Sequence, residues 1–388
     1  MIDLAPSRPV PEIRRVDAVD TPCVVMPYTY GQDRHCSVHE KATRAEVVRR
    51  LARLKGCVSS DELPRHLWPA HIYLIPGETI TGLVHARNLG LKDEADLFGG
   101  VVPHAFMATK AITHPLVSPA AAAPYAWNTR FPELVAGVVL PGFSAFSGGD
   151  AEEAAAQLLP LGPVRVKPVA ETGGHGQVVV SSLAELRACL ARINKNALSE
   201  YGVVLEQNLS DVSTMSVGQV RVGTIVASYF GHQYLTINNT GSPTYGGSAL
   251  TVVRGDFHAL TAMLPAGPLR MAVDQALVYD SAAQACFTGF FASRINYDVA
   301  QGFNAAGQWC SGVLEQSWRM GGATGAEIAA LEAFHADKEL MRVRARCVEK
   351  FGPLEPVPTG AAVYFQGEDP QAGLLTKYAL VDKHEHPA

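Results

Sequence analysis

The first part of the chain alternates short apolar runs with a segment of helical periodicity. Residues 23–28 and 71–76 are apolar runs of the length typical of buried strands. Between them, residues 38–54 place apolar side chains three and four positions apart, with arginines on the opposite helix face. The pattern predicts a β-α-β unit. With one more strand at residues 100–103, we expect a first domain that covers residues 1–105.

Strands and helices continue to alternate through the middle of the chain, with glycine turns between them. The pattern predicts strands at residues 138–146, 164–168, 177–180 and 203–207, and helices that begin near Asp150 and Leu183. Residues 216–234 then have the alternation and β-branched content of a hairpin, and a polar glycine-rich stretch follows at residues 238–248. This order predicts an α/β (α+β) protein whose later domains cover residues 106–205, residues 206–330, and a helical extension at residues 331–388 that contains a candidate strand at 363–366.

Two late strands concentrate polar side chains on one face. Period-2 alternation in residues 288–299 and 312–319 separates an apolar face from a polar one. The polar face carries Arg294, Asn296 and Asp298 on the first strand, and Glu315, Ser317 and Arg319 on the second. A hairpin of these strands would bring Asn296 or Asp298 beside Glu315. Oxygen ligands placed close together beside arginines suit Mg²⁺ that bridges the phosphates of a nucleotide.

Composition limits the classes of partner. The chain has 388 residues, of which 47% are hydrophobic and 18% charged, with a formal net charge of −5. This length predicts more than one domain, and there is no basic excess of the kind that nucleic-acid binding requires. The N-terminal segment has no apolar signal core, and no run approaches the roughly 18 to 20 apolar residues of a membrane helix. We expect a cytoplasmic protein without a nucleic-acid or membrane partner.

The cysteines predict neither disulfides nor a zinc site. Seven cysteines lie at positions 23, 36, 57, 189, 286, 310 and 347, and none forms a C-x-x-C pair. An odd and dispersed set is typical of free thiols in a reducing compartment. His35, Cys36 and His39 are close in sequence but lack further ligands near them, so we interpret them as ordinary polar residues near a helix start.

A lysine and a glycine-rich turn suggest phosphate binding. A short apolar strand carries Lys167 and opens into Glu171, Thr172, Gly173, Gly174, His175 and Gly176. Glycines allow backbone N–H groups to approach an anion closely, and a nearby lysine supplies positive charge. The spacing matches neither the P-loop nor the dinucleotide-binding pattern. A surface turn is the alternative interpretation of such a segment taken alone.

The order of these parts resembles an ATP-grasp enzyme over residues 106–330. In that superfamily a first lysine precedes a small α/β subdomain, a second precedes a glycine-rich loop, an acidic residue marks the strand beside adenine, and a late strand pair carries the metal ligands. The matching positions are Lys110, Lys167, the loop at Glu171–Gly176, Glu206 with Gln207, Leu209 and Asp211 after it, and the metal ligands Asn296, Asp298, Glu315 and Ser317. The tracts at residues 294–298 and 321–332 also resemble an uncharacterised bacterial family with this core.

The chain departs from the superfamily at two metal positions. Where ATP-grasp enzymes show Arg-x-Asp, it has Arg294-Ile-Asn296, and where they show Glu-x-Asn, it has Glu315-Gln-Ser317. An amide carbonyl and a hydroxyl can coordinate Mg²⁺, but both are neutral. The site therefore has less negative charge unless Asp298 takes part.

The resemblance implies ATP and Mg²⁺ as cofactors and ligation as the reaction. A carboxylate would attack the γ-phosphate to give an acylphosphate, from which an amine or thiol would displace phosphate. Arg294 and Arg319 would stabilise the transferring phosphoryl group. The implied partners are small-molecule carboxylates and amines or thiols, with a homodimer as one assembly. Two alternatives stay open: a small-molecule kinase on the same fold, and a nucleotide-binding scaffold without catalysis.

Overall fold

The computed structural model describes residues 23–29, 36–61, 71–169 and 176–386 of the chain. The described residues form four sheets, with helices packed on them. A parallel three-stranded sheet comes first, in the order β2-β1-β3. Its elements are β1 (Cys23–Tyr28), α1 (Val38–Lys55), β2 (Val58–Ser59) and β3 (His71–Pro76). The predicted β-α-β unit is confirmed.

Local chemistry explains where α1 begins and ends. The Ser37 hydroxyl accepts a hydrogen bond from the Glu40 N–H, and the Glu40 carboxylate accepts one from the Ser37 N–H. Gly56 ends the helix with φ of 66°, a conformation that a side chain disfavours. Val47 and Leu51, on the predicted apolar face, are fully buried. The caps therefore set the two ends of α1, and its apolar face packs into the core.

A disulfide joins Cys23 to Cys57, so the expectation of free thiols throughout was wrong for this pair. The two cysteines are 34 positions apart in sequence, but the start of β1 and the end of α1 bring their Cα atoms to 4.9 Å. Spacing along a chain does not reveal such proximity, because tertiary folding creates it. Among the described residues, Cys36, Cys189, Cys286, Cys310 and Cys347 are not part of a disulfide.

The disulfide leads to a direct prediction. Alkylation of the unreduced, denatured protein should label five cysteines and leave Cys23 and Cys57 joined. Reduction should lower the free energy of unfolding by about 2–4 kcal/mol, since the bridge restricts the unfolded chain. Peptide mass spectrometry and urea unfolding with and without reductant measure the two effects. Seven labelled cysteines in the unreduced protein would contradict the bridge.

A second small sheet connects the N-terminal unit to a distant part of the chain. Its order is β13-β5-β4, formed by β4 (Ile80–Thr81), β5 (Gly100–Val102) and β13 (Phe291–Ala292), with α2 (Leu83–Asn88) beside it. The strand predicted at residues 100–103 is therefore present, and its partner comes from about 190 residues later. The boundary at residue 105 stays a prediction.

The third sheet is antiparallel and carries Lys167. Its strands are β6 (Gly142–Ala145), β7 (Val164–Pro168), β8 (Val178–Val180) and β9 (Val203–Gln207), in the order β6-β9-β7-β8. The helix α3 (Arg130–Val135) precedes this sheet in the chain. The helices within this part of the chain are α4 (Gly148–Leu158), α5 (Leu183–Leu190) and α6 (Lys195–Tyr201). Helix α4 begins earlier than predicted, because the Ser147 hydroxyl, rather than the Asp150 side chain, caps it.

The fourth sheet has eight antiparallel strands in the order β15-β14-β10-β11-β12-β16-β18-β17. They are β10 (Ser210–Val222), β11 (Ile225–Ile237), β12 (Pro243–Arg254), β14 (Arg294–Phe303), β15 (Trp309–Ser317), β16 (Arg342–Phe351), β17 (Ala362–Asp369) and β18 (Gly373–Glu385). Helices α7 (Phe257–Ala262) and α8 (Pro268–Cys286) pack in one core, while α9 (Thr324–Ala336) and α1 pack in another. The N-terminal helix thus shares a core with the large sheet.

The helical extension predicted beyond residue 330 was wrong. After α9 ends at Ala336, the described chain forms β16, β17 and β18, which extend the large sheet. In β16, buried Val343, Ala345 and Cys347 alternate with arginines. These arginines pair with acidic side chains of β18, and their alternation with buried apolar residues is the period-2 pattern of a strand. The candidate strand at residues 363–366 lies inside β17.

The glycine-rich stretch at residues 238–248 is partly strand. Strand β12 starts at Pro243 and runs through Gly246 and Gly247. A Cβ at Gly247 would lie 2.2 Å from the carbonyl oxygen of Cys347 on β16, so the close strand pairing requires a glycine there. Among the described helices, none is long and apolar enough to cross a membrane.

Candidate functional site

The β14–β15 hairpin brings two carboxylates face to face. In its register Asp298 is opposite Glu315, and Asn296 is opposite Ser317. The predicted pairing is therefore confirmed, with Asp298 as the carboxylate that faces Glu315. An irregularity between Asp298 and Val299 shifts the pairing beyond this point. All four polar side chains border a cavity of about 500 Å³.

Burial and the neighbouring negative charge of Glu315 raise the pKa of Asp298 to about 6. Asn296 and Gln233 each donate a hydrogen bond to the Asp298 carboxylate, at 3.0 and 2.8 Å. Two adjacent carboxylates can hold a divalent cation, whose charge removes their repulsion. Within the described ranges, no group of three or more histidine, cysteine, aspartate or glutamate side chains could hold a metal. Mg²⁺ needs no more than one or two carboxylates when phosphates and water supply its other ligands.

Lys110 reaches this carboxylate pair. Its ammonium lies 3.3 Å from the Glu315 carboxylate, and its side chain is only 7% exposed. Lys110 begins a short 3-10 helix, Lys110–Thr113, that lies against β15. The Gln316 amide fixes this approach by donating to the carbonyls of Met107 and Thr109, each at 2.9 Å. The structure therefore places a buried cation directly beside the candidate metal ligands.

A second buried cluster surrounds Lys167. Lys167 on β7 pairs with Glu206 on β9, and His114 lies 3.3 Å from the second oxygen of the same carboxylate. Burial by itself would raise the pKa of Glu206, but the Lys167 ammonium and the His114 hydrogen bond lower it to about 2. All three side chains are buried. Glu206 is therefore ionised at neutral pH and holds Lys167 in place.

One segment of the chain connects the two clusters. The five residues 110–114 contact Glu315 through Lys110 and Glu206 through His114. Between them, the Thr113 hydroxyl lies 3.3 Å from the Leu314 carbonyl oxygen on β15. The hairpin that carries Glu315 thus contacts this short segment directly, and Lys167 is connected to it through Glu206. His114 had not been identified from the sequence, because its partner Glu206 is 92 positions away.

Of the other residues predicted to contact a nucleotide, some lie outside the described residues and the rest lie at separate places in the structure. Glu171, Thr172, Gly173, Gly174 and His175 lie outside the described residues, and so does His35. Gly176 is exposed, with φ of 68°. Gln207 is buried at the end of β9, Leu209 packs with Leu140 and Ala300, and Asp211 is exposed with φ of 49° at the start of β10. Their roles in binding a nucleotide stay predictions.

The two arginines differ in their surroundings. Arg294 is 1% exposed and donates to both oxygens of the buried Glu327 carboxylate, at 3.0 and 2.7 Å. Arg319 is half-buried, and it donates to the carbonyl of Met320 at 2.8 Å. Burial, and then the positive charge of Arg294, lower the pKa of Arg319. Arg294 is therefore anchored by Glu327, and both arginines border the cavity.

A second cavity, of about 470 Å³, adjoins the first. The two share Arg319, Gly321 and Gly322, and also three charged side chains, Glu40, Glu349 and Lys377. Helix α1 and the strands β16 and β18 supply about half of the second cavity's wall. Cys36 borders this cavity and accepts a hydrogen bond from Arg44, and the His39 N–H donates to Asp369. The C-terminal strands, which lie where a helical extension was expected, therefore border the space beside the carboxylate pair.

The sheets and the connecting segment together form an ATP-grasp fold. The biotin carboxylase domain of the Hydrogenobacter thermophilus 2-oxoglutarate carboxylase, solved with MgADP, ADP and bicarbonate, shares it with a TM-score of 0.52 at 13% identity, over 92% of this chain and 85% of that one. A Campylobacter jejuni biotin carboxylase gives 0.49 at 12% identity, over 92% and 87% of the two chains. A Staphylococcus aureus N5-carboxyaminoimidazole synthetase solved with ADP gives 0.49 at 12%, over 93% of both chains. Identity this low shows the fold alone.

Residues 27–379 match the family described as protein of unknown function (DUF3182), and the chain belongs to that family. The predicted resemblance to an uncharacterised family with an ATP-grasp core is confirmed. No protein of curated function matches the sequence. The chemistry of the site must therefore be argued from its own residues.

Proposed function

We propose that the protein is an ATP- and Mg²⁺-dependent ligase that joins a carboxylate to an amine or thiol through an acylphosphate. The observation that carries the proposal is the convergence of Lys110, Lys167 and the Asp298–Glu315 pair around the segment 110–114. Lys110 lies beside the Glu315 carboxylate, and Lys167 is connected to the same segment through Glu206 and His114. Two buried cations and two facing carboxylates suit a polyphosphate and its divalent cation. One structural neighbour, the Hydrogenobacter thermophilus biotin carboxylase domain, was solved with MgADP and bicarbonate, and the proposed site would bind ligands of the same kinds.

The residues present fit Mg²⁺ and the phosphates of ATP. Asp298 and Glu315 would hold the cation, whose positive charge would oppose the two causes that raise the pKa of Asp298, its burial and the negative charge of Glu315. Bound Mg²⁺ would supply positive charge against the phosphate oxygens. Lys110 and Lys167 would hold the phosphates, exchanging part of their present contact with Glu315 and Glu206 for phosphate oxygens. The loop at residues 171–176 would add backbone N–H groups.

The two adjoining cavities provide space for the other substrates. A substrate carboxylate near Arg319 would attack the γ-phosphorus in line, forming an O–P bond while the bond to the ADP oxygen breaks. The amine or thiol would then attack the acyl carbon, and inorganic phosphate would leave. Arg319 borders both cavities, so its guanidinium is suited to orient the acid and to stabilise charge on the transferring group. The proposed substrates are small and polar.

A turnover screen tests this proposal. The protein is incubated with MgATP and paired libraries of carboxylic acids and of amines or thiols, and ADP and phosphate are measured. We expect ADP that depends on the acid, and a coupled product only when the acceptor is also present. AMP as the product, or no turnover with any pair, would count against ligation. A stable phosphorylated product that needs no acceptor would indicate a kinase instead.

The Glu206 cluster should make the stability of the fold depend on pH in the acid range. The pKa of Glu206 falls from 4.5 to about 2 on folding, so its charge stabilises the fold above pH 4.5, and this contribution is lost as the pH falls towards 2. The linked contribution is on the order of 3 kcal/mol. Glu206→Gln should therefore be destabilised at pH 7, with a difference from wild type that shrinks between pH 4.5 and pH 3. Urea unfolding measures it, with exposed Glu368→Gln as the control. A difference that is constant with pH would refute this account of the cluster.

A further inference from the structure

A buried carboxylate on α9 lies at the centre of a hydrogen-bond network beneath the candidate metal site. Glu327 is 0% exposed, and no motif had assigned it a role. Its Oε2 accepts a hydrogen bond from Arg294 Nε at 3.0 Å, and its Oε1 accepts one from Arg294 Nη2 at 2.7 Å. The Tyr229 hydroxyl donates to Oε1 at 2.6 Å. Three donors thus converge on one carboxylate, which is the arrangement that a buried charge requires.

One branch of the network reaches the backbone around Arg319. The remaining terminal nitrogen of Arg294 donates to the carbonyl oxygen of Ser317 at 3.1 Å and to that of Arg319. It also lies 3.4 Å from the Ser317 hydroxyl. These contacts fix the chain where it leaves β15 and enters the Gly321–Gly322 turn shared by both cavities. The direction in which Ser317 and Arg319 point therefore depends on the position of Arg294.

The other branch reaches Asp298. The single proton of the Tyr229 hydroxyl is shared between Glu327 Oε1 and the side-chain Oδ1 of Asn296, which lies 3.0 Å from the hydroxyl oxygen, and this three-centre bond orients the Asn296 amide. The Asn296 amide nitrogen in turn donates to Asp298 at 3.0 Å. Burial and the Glu327 carboxylate raise the pKa of Tyr229 well above its ordinary value, so the hydroxyl keeps its proton. Asn296 thus links Tyr229 to Asp298, with both ends of its side-chain amide held by hydrogen bonds.

We infer that Glu327 is a positioning residue of the metal and phosphate site: through Arg294 and Tyr229 it holds Ser317, Arg319 and Asp298 in the geometry that binds Mg²⁺-nucleotide. The inference rests on the proposed function. It also assigns Arg294 a different task from phosphoryl stabilisation, because the guanidinium is occupied by Glu327 and by backbone carbonyls. The network explains how neutral residues at positions 296 and 317 remain part of a working site.

Replacing both Arg294 and Glu327 with apolar residues distinguishes two roles for this ion pair. If the pair only stabilises the fold, nucleotide binding should not change; if the pair positions the site, Mg²⁺-dependent binding should weaken. Well-packed hydrophobic residues can replace a buried ion pair with little loss of stability, whereas removing one partner leaves an uncompensated charge. The double variant Arg294→Met/Glu327→Leu should therefore fold, while it releases the two branches from their anchor. Glu332→Gln is the matched control, since Glu332 is on the same helix but pairs with Arg50 near the surface.

The test is calorimetric binding of ADP with and without Mg²⁺ to wild type, the double variant and the control. We expect the double variant to keep ADP affinity without Mg²⁺ within about threefold of wild type, since Lys110 and Lys167 are untouched. The Mg²⁺ gain, the factor by which Mg²⁺ raises the ADP affinity, should be at least about tenfold smaller in the double variant than in wild type. For Glu332→Gln this factor should match that of wild type. A folded double variant with an unchanged Mg²⁺ gain overturns the inference and leaves the proposed function standing.

Two further outcomes are decided by the same measurement. If the double variant does not fold, Tyr229→Phe replaces it, since this change keeps the Arg294–Glu327 pair and removes only the hydroxyl next to Asn296. Tyr229→Phe should lower the Mg²⁺ gain by about threefold, and no change there overturns the inference. Wild-type protein that binds no ADP under either condition overturns the proposed function, and the inference falls with it.

Discussion

Replacing Lys167 with methionine should abolish measurable ATP binding under conditions in which wild type binds. The ammonium is buried on β7, and a charge-assisted contact with phosphate contributes about 1.5–3 kcal/mol, or roughly 10–100-fold in affinity for each bond lost. Removing Lys167 also leaves Glu206 charged and buried, which should cost about 3–5 kcal/mol of stability. Calorimetric titration with ATP and urea unfolding measure the two effects.

A double variant separates these effects. Lys167→Met/Glu206→Gln removes both charges of the buried pair, so it should recover much of the lost stability but not the binding of ATP. The control is Lys195→Met, since Lys195 is exposed at the start of α6 in the same part of the chain. Tight ATP binding by the folded double variant would show that Lys167 has no role in holding phosphates.

Replacing Glu315 with glutamine should reduce acid-dependent ADP formation by at least about 10³-fold while the protein stays folded. The change keeps the shape of the side chain but removes one of the two carboxylates that would hold Mg²⁺, and metal-based charge stabilisation contributes several kcal/mol to such reactions. Asp298→Asn should have a similar effect, because its carboxylate faces Glu315 in the hairpin register. Steady-state kinetics at increasing Mg²⁺ concentrations measure the loss.

The matched control is Glu368→Gln, since Glu368 is exposed on β17. Its kinetics should be those of wild type. Glu315→Gln with wild-type turnover at low Mg²⁺ would remove the hairpin from the proposed site. Partial recovery of Glu315→Gln at high Mg²⁺ is the expected sign of weakened metal binding, because mass action can compensate for lower affinity.

Sequence periodicity predicted the parts of the fold that depend on local pattern. The β-α-β start, the Lys167 strand and the polar faces of the β14–β15 hairpin follow from periods of 3.6 and 2 residues, which chain geometry imposes. The resemblance to ATP-grasp enzymes then connected these parts into the fold that the structural comparison shows. The facing of Asp298 and Glu315 was within reach of this reasoning, since both lie on predicted polar faces.

Contacts between distant residues could not be predicted in the same way. His114 and Glu206 are 92 positions apart, and the Cys23–Cys57 bridge forms only because β1 and α1 fold together. Nothing in the sequence indicated a role for Glu327, because its pairing with Arg294 is visible only in the structure. The C-terminal strands, by contrast, were missed although arginines alternate with apolar residues in β16, and this period of two is typical of a strand.

The most direct test of the account is a crystal structure of the wild-type protein with MgADP or a non-hydrolysable MgATP analogue. We expect phosphate oxygens within hydrogen-bond distance of the Lys110 and Lys167 ammonium groups, and Mg²⁺ bound by the carboxylates of Asp298 and Glu315. Nucleotide bound elsewhere, with Lys167 still paired only to Glu206 and no cation between Asp298 and Glu315, would contradict it.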